Sequence, residues 1–464
     1  MSAISTLPPI VLFEQDRTEP DNDCACPDPS VVIWSKSDET STLFQKTKPV
    51  YAKKLKPDFW LLFGAVSPNG PAILDQAAYT RWGEYHSPAP LSRDVDQILA
   101  QQNLITPVSD SFKLVQKAES TLTVWLQITD LCNLCCDYCF VHQKGEALSS
   151  SLGKHAIEAI FEIASRHSFR KVKIKFAGGE PTLALPLVLD LNKQAQGISR
   201  SSGIELESII LSNGVSLSDV QIQQIQMSGL RLVLSLDGLG LNQDIQRHGH
   251  SGHGSWQSVV GTLDRLATTG VKPQICITVT ARNLAGLPDL VAFLLKRDLA
   301  FSFNFYRPSN NSEEKNDLRY TNHDLIEAMR AAFAKIKERI SVDFSYTGLL
   351  DRVRLSGPHI YPCGAGESYL VISTQGAVSA CHMISQPNFP LSESQLFQKL
   401  QFSSPWKLDK GGSQEKCEHC LWRYACAGGC PGLTGSPNCQ IYQALIPDLL
   451  EMEGLRLLKK AGLS

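Results

Sequence analysis

The sequence lacks several features that would assign it to a simple class. Its 44 Lys and Arg nearly balance its 46 Asp and Glu, which gives a formal net charge of −2, so no strong field draws it toward nucleic acid or anionic lipid. No apolar run approaches the length of a membrane helix. The first residues also lack the basic segment and full apolar stretch of an export signal. We therefore expect a cytoplasmic protein that binds neither nucleic acid nor membrane.

Cysteine, in contrast, is abundant and clustered. The chain has 14 cysteines, four of them at positions 132 to 139 and seven between positions 363 and 439. The cytosol keeps thiols reduced, so disulfides are not the expected use of so many cysteines. We therefore interpret both clusters as ligands for metal or redox groups.

Composition changes along the 464 residues predict several structural units. Residues 1–48 are rich in Pro, Asp, Ser and Thr, and we expect a loosely ordered arm. Residues 49–116 show two short strands around a Pro-Asn-Gly turn and two helical runs, which predicts a small winged-helix-like α+β module. Residues 358–445 are rich in turns and cysteine, and residues 446–464 predict a C-terminal helix.

Residues 120–350 show the alternation of an α/β fold. Strand-like runs are separated by amphipathic helical runs, which favours a parallel sheet covered by helices. Six such units predict a partial (β/α)6 TIM barrel. Polar motifs follow the predicted strands, and chemistry in such barrels takes place at the carboxyl ends of the strands. The predicted strands are TLTVWLQIT, KVKIKFAGG, LESIILSNG, LRLVLSLDG, QICITVTAR and AFSFNFYRP.

The first cysteine cluster, CNLCCDYCF, follows the first of these strands. Cys132, Cys136 and Cys139 have x3 then x2 spacing. Three thiolates on one loop can hold three corners of a [4Fe–4S] cluster and leave the fourth iron without a protein ligand. Spacing alone leaves two alternatives open. Cys135 can replace Cys136 in an x2 then x3 set, and His142 can join Cys132, Cys136 and Cys139 in a four-ligand zinc site.

Two motifs in register resemble those of the radical S-adenosylmethionine (SAM) family. CNLCCDYCF resembles the family's cysteine signature, including the aromatic Tyr138 before the last cysteine. GGEP resembles the family's motif for the SAM amino group. The resemblance covers roughly residues 120 to 310, and it favours the x3–x2 set with Cys135 as a non-ligand. The four residues of the second motif are Gly178, Gly179, Glu180 and Pro181.

The resemblance implies a mechanism and roles for several side chains. SAM chelates the open iron, an electron from the cluster breaks its sulfonium S–C bond, and the 5′-deoxyadenosyl radical takes a hydrogen atom from the substrate. Glu180 is expected to accept a hydrogen bond from the SAM ammonium group. Ser212 and Asn213 lie at the strand end expected to meet the ribose. Ser235 and Arg247 are candidates for binding the SAM carboxylate.

The second cysteine set closely resembles a SPASM domain, which holds two auxiliary iron–sulfur clusters behind some radical SAM cores. This resemblance divides the seven cysteines into two ligand sets. The expected ligands of an outer cluster are Cys417, Cys420, Cys426 and Cys439. The expected ligands of an inner cluster are Cys363, Cys381 and Cys430. The inner set leaves one iron without a cysteine ligand.

Together these resemblances imply a radical SAM/SPASM peptide maturase. It would take hydrogen from a ribosomally made peptide and form a cross-link with net loss of two hydrogens. The N-terminal module resembles domains that bind the leader of a precursor peptide as an added strand. A flavodoxin or ferredoxin is the expected electron donor.

Three alternatives remain open at this point. One is a sulfatase maturase that forms formylglycine; His382 stands where that branch has an Asp, although His382 could act as a base. The second is a peptide maturase of cofactor biosynthesis. The third is a non-enzymatic, metal-stapled binding protein.

Overall fold

The computed structural model gives full side-chain detail for most of the chain. It covers the predicted core, the cysteine-bearing segments and most of the N-terminal module. The described residues are 9–14, 32–35, 43–108, 113–116, 120–215, 217–308, 316–384, 386–393, 395–404, 417–430 and 439–463.

The N-terminal module contains an antiparallel sheet of order β1-β6-β5-β4, with two helices. The predicted pair of strands around the Pro-Asn-Gly turn is β5 and β6, and both predicted helices are present. A buried ion pair between Arg81 and Asp96 joins the two helices. The elements are β1 (Val11–Leu12), β2 (Val32–Ser35), β3 (Phe44–Lys46), β4 (Val50–Lys56), β5 (Phe59–Gly64), β6 (Ala72–Asp75), α1 (Gln76–Glu84), α2 (Asp94–Gln101), β7 (Ile105–Pro107) and β8 (Lys113–Gln116).

Parts of the expected N-terminal arm are structured. β1 pairs with β6, and β3 pairs with β7. For these residues the expectation of a loose arm is wrong, because short apolar runs complete the edges of the module. Glu14, just after β1, also binds the buried Arg456 of the C-terminal helix. The rest of the segment 1–48 lies largely outside the described residues.

The core confirms the six predicted parallel β/α units. The strands run in the order β9-β10-β11-β12-β13-β14, each parallel to its neighbour. Among the described residues β9 and β14 do not pair, so the barrel is open. The elements are β9 (Thr121–Thr129), α3 (Ser150–Arg166), β10 (Lys171–Gly178), α4 (Leu185–Ser202), β11 (Glu205–Ser212), α5 (Asp219–Met227), β12 (Arg231–Ser235), α6 (Leu241–Asp244), α7 (Trp256–Thr268), β13 (Gln274–Val279), α8 (Leu287–Lys296), β14 (Phe301–Phe305) and α9 (Asn322–Glu338).

The strand β10 shows how the sequence separates the two faces of the sheet. Val172, Ile174 and Phe176 are fully buried in the main apolar core. Because side chains alternate along a strand, Lys173 and Lys175 belong to the opposite face, which is the barrel interior. Both lysines are almost completely buried. The interior is therefore polar and charged, as a site for polar ligands requires.

The C-terminal cysteine-rich region continues the core sheet. β15 lies parallel to β9, and β16 and β17 extend the sheet in antiparallel fashion. The last helix begins at Cys439 and not at residue 446, so it carries a cysteine in its first turn. The elements are β15 (Tyr369–Ile372), β16 (Ala377–Ser379), β17 (Asn388–Pro390), α10 (Leu396–Phe402), α11 (Arg423–Cys426) and α12 (Cys439–Lys460).

No helix in the described part of the chain is both long enough and apolar enough to cross a membrane.

Candidate active site

A cavity of about 220 Å³ opens at the carboxyl ends of the core strands. It lies where the strand-end motifs predicted a site, and the ends of successive strands each contribute to its wall. The sequence-predicted residues that line it are Cys132, Cys136, Tyr138, Cys139, Gly178, Gly179, Ser212, Asn213, Ser235, Arg247 and His382. Glu180 and Pro181 do not line this cavity.

The three thiols of the x3–x2 set face the cavity together. Burial raises the pKa of Cys136 to about 12 and also raises the pKa values of Cys132 and Cys139. The positive charge of Arg247 lowers the pKa of all three thiols and so opposes the effect of burial. Cys135 is exposed and does not line the cavity. The donor set therefore fits a [4Fe–4S] cluster held by three cysteines beside an open position.

The fourth ligand of the zinc alternative does not join the three thiols at the cavity. His142 is exposed and lies outside the cavity wall. Within the described ranges no three His, Cys, Asp or Glu side chains are already assembled around a single metal position, and this holds for the cysteine loop and for the C-terminal cysteines alike.

The Gly178–Gly179 pair lets the end of β10 touch the cysteine loop directly. The Gly179 N–H donates to the Thr129 carbonyl at 2.7 Å, and the Glu180 N–H donates to the Leu131 carbonyl at 2.8 Å. A Cβ atom on Gly178 would lie 2.1 Å from the Thr129 carbonyl oxygen. A Cβ on Gly179 would lie 2.2 Å from the Leu131 carbonyl oxygen. Only glycine permits these contacts, which fix the loop that carries Cys132.

Glu180 is fully buried at the junction of β10 and β11. Its carboxylate accepts from the Ser212 hydroxyl at 2.9 Å and the Asn213 N–H at 2.7 Å. The Thr182 N–H and hydroxyl also donate to it. Burial raises the pKa of Glu180, and these hydrogen bonds oppose the shift. Glu180 therefore joins the ends of the two strands, and its contact with the SAM ammonium group stays a prediction.

Asn213 connects this junction to the cysteine loop. Its side-chain amide donates to the Asn133 Oδ1 at 2.7 Å and lies 3.7 Å from the Cys132 sulfur. The side-chain oxygen of Asn213, Oδ1, accepts a hydrogen bond from the Val215 N–H at 2.8 Å. Asn213 thus positions the first thiol as well as lining the cavity.

Tyr138, Asp237 and Arg247 form one buried group on the cavity wall. The Tyr138 hydroxyl donates to the Asp237 carboxylate and accepts from the Arg247 guanidinium. Asp237 also accepts from the Thr278 N–H at 2.7 Å and the Gln246 amide at 3.1 Å. The carboxylate raises the stability of the charged guanidinium next to it. Arg247 is therefore held as a cation against the cavity, where it can bind an anionic group.

The opposite wall of the cavity is aromatic. His382 stacks on Trp125 with ring centroids 4.9 Å apart, and Phe140 lies 5.2 Å away. Tyr369 Oη and His382 Nδ1 are hydrogen-bonded at 2.8 Å. Burial lowers the pKa of His382 to about 3, and nearby cations add to the effect. A general base works best with a pKa near the operating pH, so the structure favours His382 as part of an aromatic wall over a basic role.

Arg307 brings a second buried guanidinium to the cavity. It donates to the Phe305 carbonyl at 3.0 Å and forms an ion pair with the buried Asp351. The Phe305 N–H also donates to Asp351 at 3.0 Å. The cavity therefore has a cation on both sides, Arg247 near the cysteine loop and Arg307 at the end of β14.

The C-terminal cysteines fall into two groups that interact within themselves. Burial raises the pKa of Cys381 to about 12, and the charges of Cys430 and Cys363 add to this rise. Burial also raises the pKa of Cys426 to about 12, and here the added charges come from the other three members of the outer set. Those members are Cys420, Cys417 and Cys439. Within each expected set the cysteines are thus near enough for their charges to interact, and thiolates are the ligands that iron–sulfur clusters require; the two ligand sets themselves stay a prediction.

Several side chains of the site could not be found from the sequence motifs. Asp237, just after β12, is fully buried and organises Tyr138 and Arg247. Trp125 and Tyr369 lie in apolar strands, where nothing in the sequence distinguishes them from ordinary core residues. Trp125 lines the cavity, and the pairing of β15 with β9 places Tyr369 where it bonds His382, a contact that no local signal encodes.

Comparison with known proteins supports this assignment. Residues 126–293 match the model of the radical SAM superfamily. The serine-type anaerobic sulfatase-maturating enzyme of Klebsiella aerogenes is 23% identical over 344 residues, which cover 69% of this chain and 82% of that enzyme. This chain spans 62% of the length of a relative from Methanocaldococcus jannaschii and 39% of the length of a relative from Drosophila melanogaster.

Two solved structures share the fold. Native anSMEcpe with bound AdoMet and Cp18Cys peptide gives a TM-score of 0.58 at 17% identity, covering 74% of this chain and 99% of that chain. SuiB of Streptococcus suis bound to precursor peptide SuiA gives a TM-score of 0.50 at 15% identity, covering 83% and 95%. The radical SAM superfamily uses a [4Fe–4S] cluster together with SAM. The match over residues 126–293 thus shows that the part of the chain with the parallel core and the three-thiol cavity is similar to the radical SAM superfamily.

Proposed function

We propose that this protein is a peptide maturase that removes two hydrogens from a ribosomally made peptide and forms a cross-link. The observation that carries the proposal is the cavity at the strand ends, which the thiols of Cys132, Cys136 and Cys139 line together with aromatic side chains. When bound, the cluster and SAM supply hydrogen-atom abstraction, which can act on unactivated carbon.

The residues around the cavity have distinct roles in this proposal. Cys132, Cys136 and Cys139 hold the cluster. Arg247, kept charged by Asp237, binds the SAM carboxylate, and Ser235 lines the same wall. A guanidinium suits this task because its planar donors match a carboxylate.

SAM and the substrate occupy opposite sides of the cavity in this proposal. Ser212 and Asn213 line the side expected to meet the ribose, and their backbone is fixed by Glu180. His382 and Trp125 form the wall that the reacting side chain of the substrate contacts. Such packed walls exclude water and hold the reacting carbon near the abstracting group.

A peptide substrate is supported by both solved structures named above. In these structures anSMEcpe is bound to the Cp18Cys peptide and SuiB to the precursor peptide SuiA. The N-terminal module adds a second argument, because β4 forms one edge of its sheet. An extended leader peptide can add to such an edge through main-chain hydrogen bonds. A flavodoxin or ferredoxin is proposed as the reductant.

The auxiliary cysteine groups complete the proposal. The outer group of Cys417, Cys420, Cys426 and Cys439 and the inner group of Cys363, Cys381 and Cys430 each hold an iron–sulfur cluster. An oxidative cross-link leaves one electron on the substrate after hydrogen abstraction and deprotonation. The inner group lies next to His382 in the sequence and so begins at the cavity wall, where this electron can be accepted.

A formylglycine-forming sulfatase maturase is the second candidate. The likeness to the Klebsiella aerogenes enzyme and to anSMEcpe favours it. His382, which stands in place of the Asp expected for that branch and stacks on Trp125, counts against it. Both candidates are two-electron oxidations, and formylglycine made from Ser also lowers the mass by two hydrogens, so the test must locate the change within the peptide.

The test is anaerobic co-expression of the protein with short peptides encoded beside its gene, followed by mass spectrometry of each peptide. A cross-linking maturase lowers the peptide mass by two hydrogens, and the product resists thiol reduction. Fragmentation then shows a gap in the ion series between the two joined residues. Formylglycine instead places the change on one Cys or Ser.

The matched control is co-expression with the Cys136→Ala variant, which removes one predicted cluster ligand and leaves the N-terminal module intact. This variant should bind the peptide and leave its mass unchanged. If the wild-type protein cleaves SAM but modifies no encoded peptide, the peptide substrate is wrong, although the radical chemistry stands.

A further inference from the structure

Tyr442 lies at the junction of the two auxiliary cysteine groups. It stands three residues after Cys439 in α12, so both side chains lie on the same face of that helix. The Tyr442 ring packs against Gly429, which lies between Cys426 of the outer group and Cys430 of the inner group. The Tyr442 hydroxyl therefore lies beside the turn that links the two groups.

The Tyr442 hydroxyl is buried without a hydrogen-bond partner among the described residues. The residue is 1% exposed, and its oxygen makes no hydrogen bond within that part of the chain. Buried polar groups in native proteins almost always have a partner, and an orphaned one points to a water, an ion or a bound group. A phenol keeps its proton at neutral pH and can donate it. The fold therefore holds a buried donor whose partner the described residues do not supply.

Gly429 leaves room for the Tyr442 ring to pack against the backbone. Gly429 has φ +82°, and a Cβ atom there would lie 3.1 Å from the ring Cε2 and 3.4 Å from the hydroxyl oxygen. Because glycine has no side chain, the phenol edge can rest against the backbone immediately before Cys430. Gly429 also bonds back to the Cys426 carbonyl at 2.9 Å. The hydroxyl therefore packs against the turn that links Cys426 of the outer group to Cys430 of the inner group.

We propose that the Tyr442 hydroxyl donates a hydrogen bond to an iron–sulfur cluster sulfur at the junction of the two cysteine groups. It acts as a positioning residue that raises the reduction potential of the cluster it contacts. Hydrogen bonds to cluster sulfurs favour the reduced state, because they stabilise its additional negative charge. The inference rests on the auxiliary clusters of the proposed function. It adds a residue that sets the direction of electron flow between the two clusters.

The test measures the reduction potentials of the auxiliary clusters directly. The full chain is reconstituted anaerobically in a background without the first cluster, so only the auxiliary signals remain. Tyr442→Phe removes the hydroxyl and keeps the ring against Gly429. EPR-monitored redox titration then gives the midpoint potential of each auxiliary cluster. The background substitutions are Cys132→Ala, Cys136→Ala and Cys139→Ala.

Tyr320→Phe is the matched control. Burial raises the pKa of Tyr320, and the charges of Arg307 and Asp351 act on it as they do on Tyr442. No cysteine charge contributes to the shift at Tyr320. Removing this hydroxyl therefore changes the same buried ion-pair environment without changing any cluster contact.

We expect Tyr442→Phe to shift one auxiliary midpoint potential to a lower value while iron per chain and the cluster type stay as before. Tyr320→Phe should leave both potentials unchanged. Unchanged potentials in Tyr442→Phe would overturn the proposal. Loss of iron with a native circular dichroism spectrum would also overturn it, since that result identifies Tyr442 as a ligand.

A second variant covers the case in which Tyr442→Phe misfolds. Incorporation of 3,5-difluorotyrosine at position 442 keeps the ring and makes the phenol a stronger donor. The proposal then requires a shift of the same cluster to a higher potential, and no shift refutes it. If the background protein binds no iron at all, the auxiliary clusters themselves are wrong, which is a separate and recognisable result.

Discussion

Gly179→Ala tests most sharply how the strand-end motif builds the site. The new Cβ would lie 2.2 Å from the Leu131 carbonyl oxygen and 2.6 Å from that of Asp130. Ordinary carbon–oxygen contacts begin at about 3.3 Å. The cysteine loop must therefore move by about 1 Å, and Cys132, which directly follows Leu131, moves with it.

The energetic cost follows from the contacts at stake. Two buried backbone hydrogen bonds join this strand end to the loop, from Gly179 to Thr129 and from Glu180 to Leu131. Each contributes about 0.5–1.5 kcal/mol. Forcing an additional carbon into a packed contact costs about 1–3 kcal/mol more. We expect Gly179→Ala to lower the free energy of unfolding by about 2–6 kcal/mol.

The assay compares urea unfolding of the metal-free protein with iron and sulfide per chain after anaerobic reconstitution. Gly197→Ala in α4 is the control, because a Cβ there meets nothing within 4 Å. Alanine in a helix interior is about 0.5–1 kcal/mol more favourable than glycine, so this variant should be slightly stabilised and load iron normally. If Gly179→Ala unfolds and loads iron like the wild type, the proposed role of the glycine pair is refuted.

Two further predictions concern the cysteine loop and the N-terminal module. Cys135→Ala should retain the iron of the first cluster while Cys136→Ala loses it, since only Cys136 faces the cavity; equal losses measured by iron analysis would contradict the ligand set. In the module, burial opposes ionisation of Asp96, but hydrogen bonds led by Arg81 lower its pKa from 3.8 to about 2. The lowered pKa stabilises the folded protein by about 2 kcal/mol above pH 4, and this contribution is lost as the pH falls toward 2. Urea unfolding at pH 5 and pH 2 should show this loss in the wild type and not in Asp96→Asn; equal pH dependence would contradict it.

Much of the architecture was readable from the sequence because it is locally encoded. Each predicted core strand is a short apolar run followed by a polar motif, and all six appear in parallel order. Spacing alone left the choice of thiols open, the resemblance selected Cys132, Cys136 and Cys139, and these three line the cavity. The close approach that requires glycine at positions 178 and 179 is seen only in the structure.

The features that escaped prediction depend on contacts between distant segments. The motif of Glu180 predicts a contact with SAM, but it does not predict the hydrogen bonds that the Glu180 carboxylate accepts from Ser212 and Asn213, more than thirty residues later. Tyr442 looks like an ordinary apolar helix residue until Gly429 is placed against it. Pairing of β15 with β9 joins the C-terminal region to the core, and no periodicity in either segment specifies that partner.

The central claim is that the Cys132, Cys136 and Cys139 thiols support reductive cleavage of SAM in this cavity. The direct measurement is 5′-deoxyadenosine formed from SAM by the anaerobically reconstituted protein with dithionite, in the wild type and in Cys136→Ala. The account predicts product from the wild type and none above background from the variant. Equal product from both would contradict the assigned cluster ligands. No product from an iron-loaded wild type would contradict the enzyme and favour a metal-stapled binding protein.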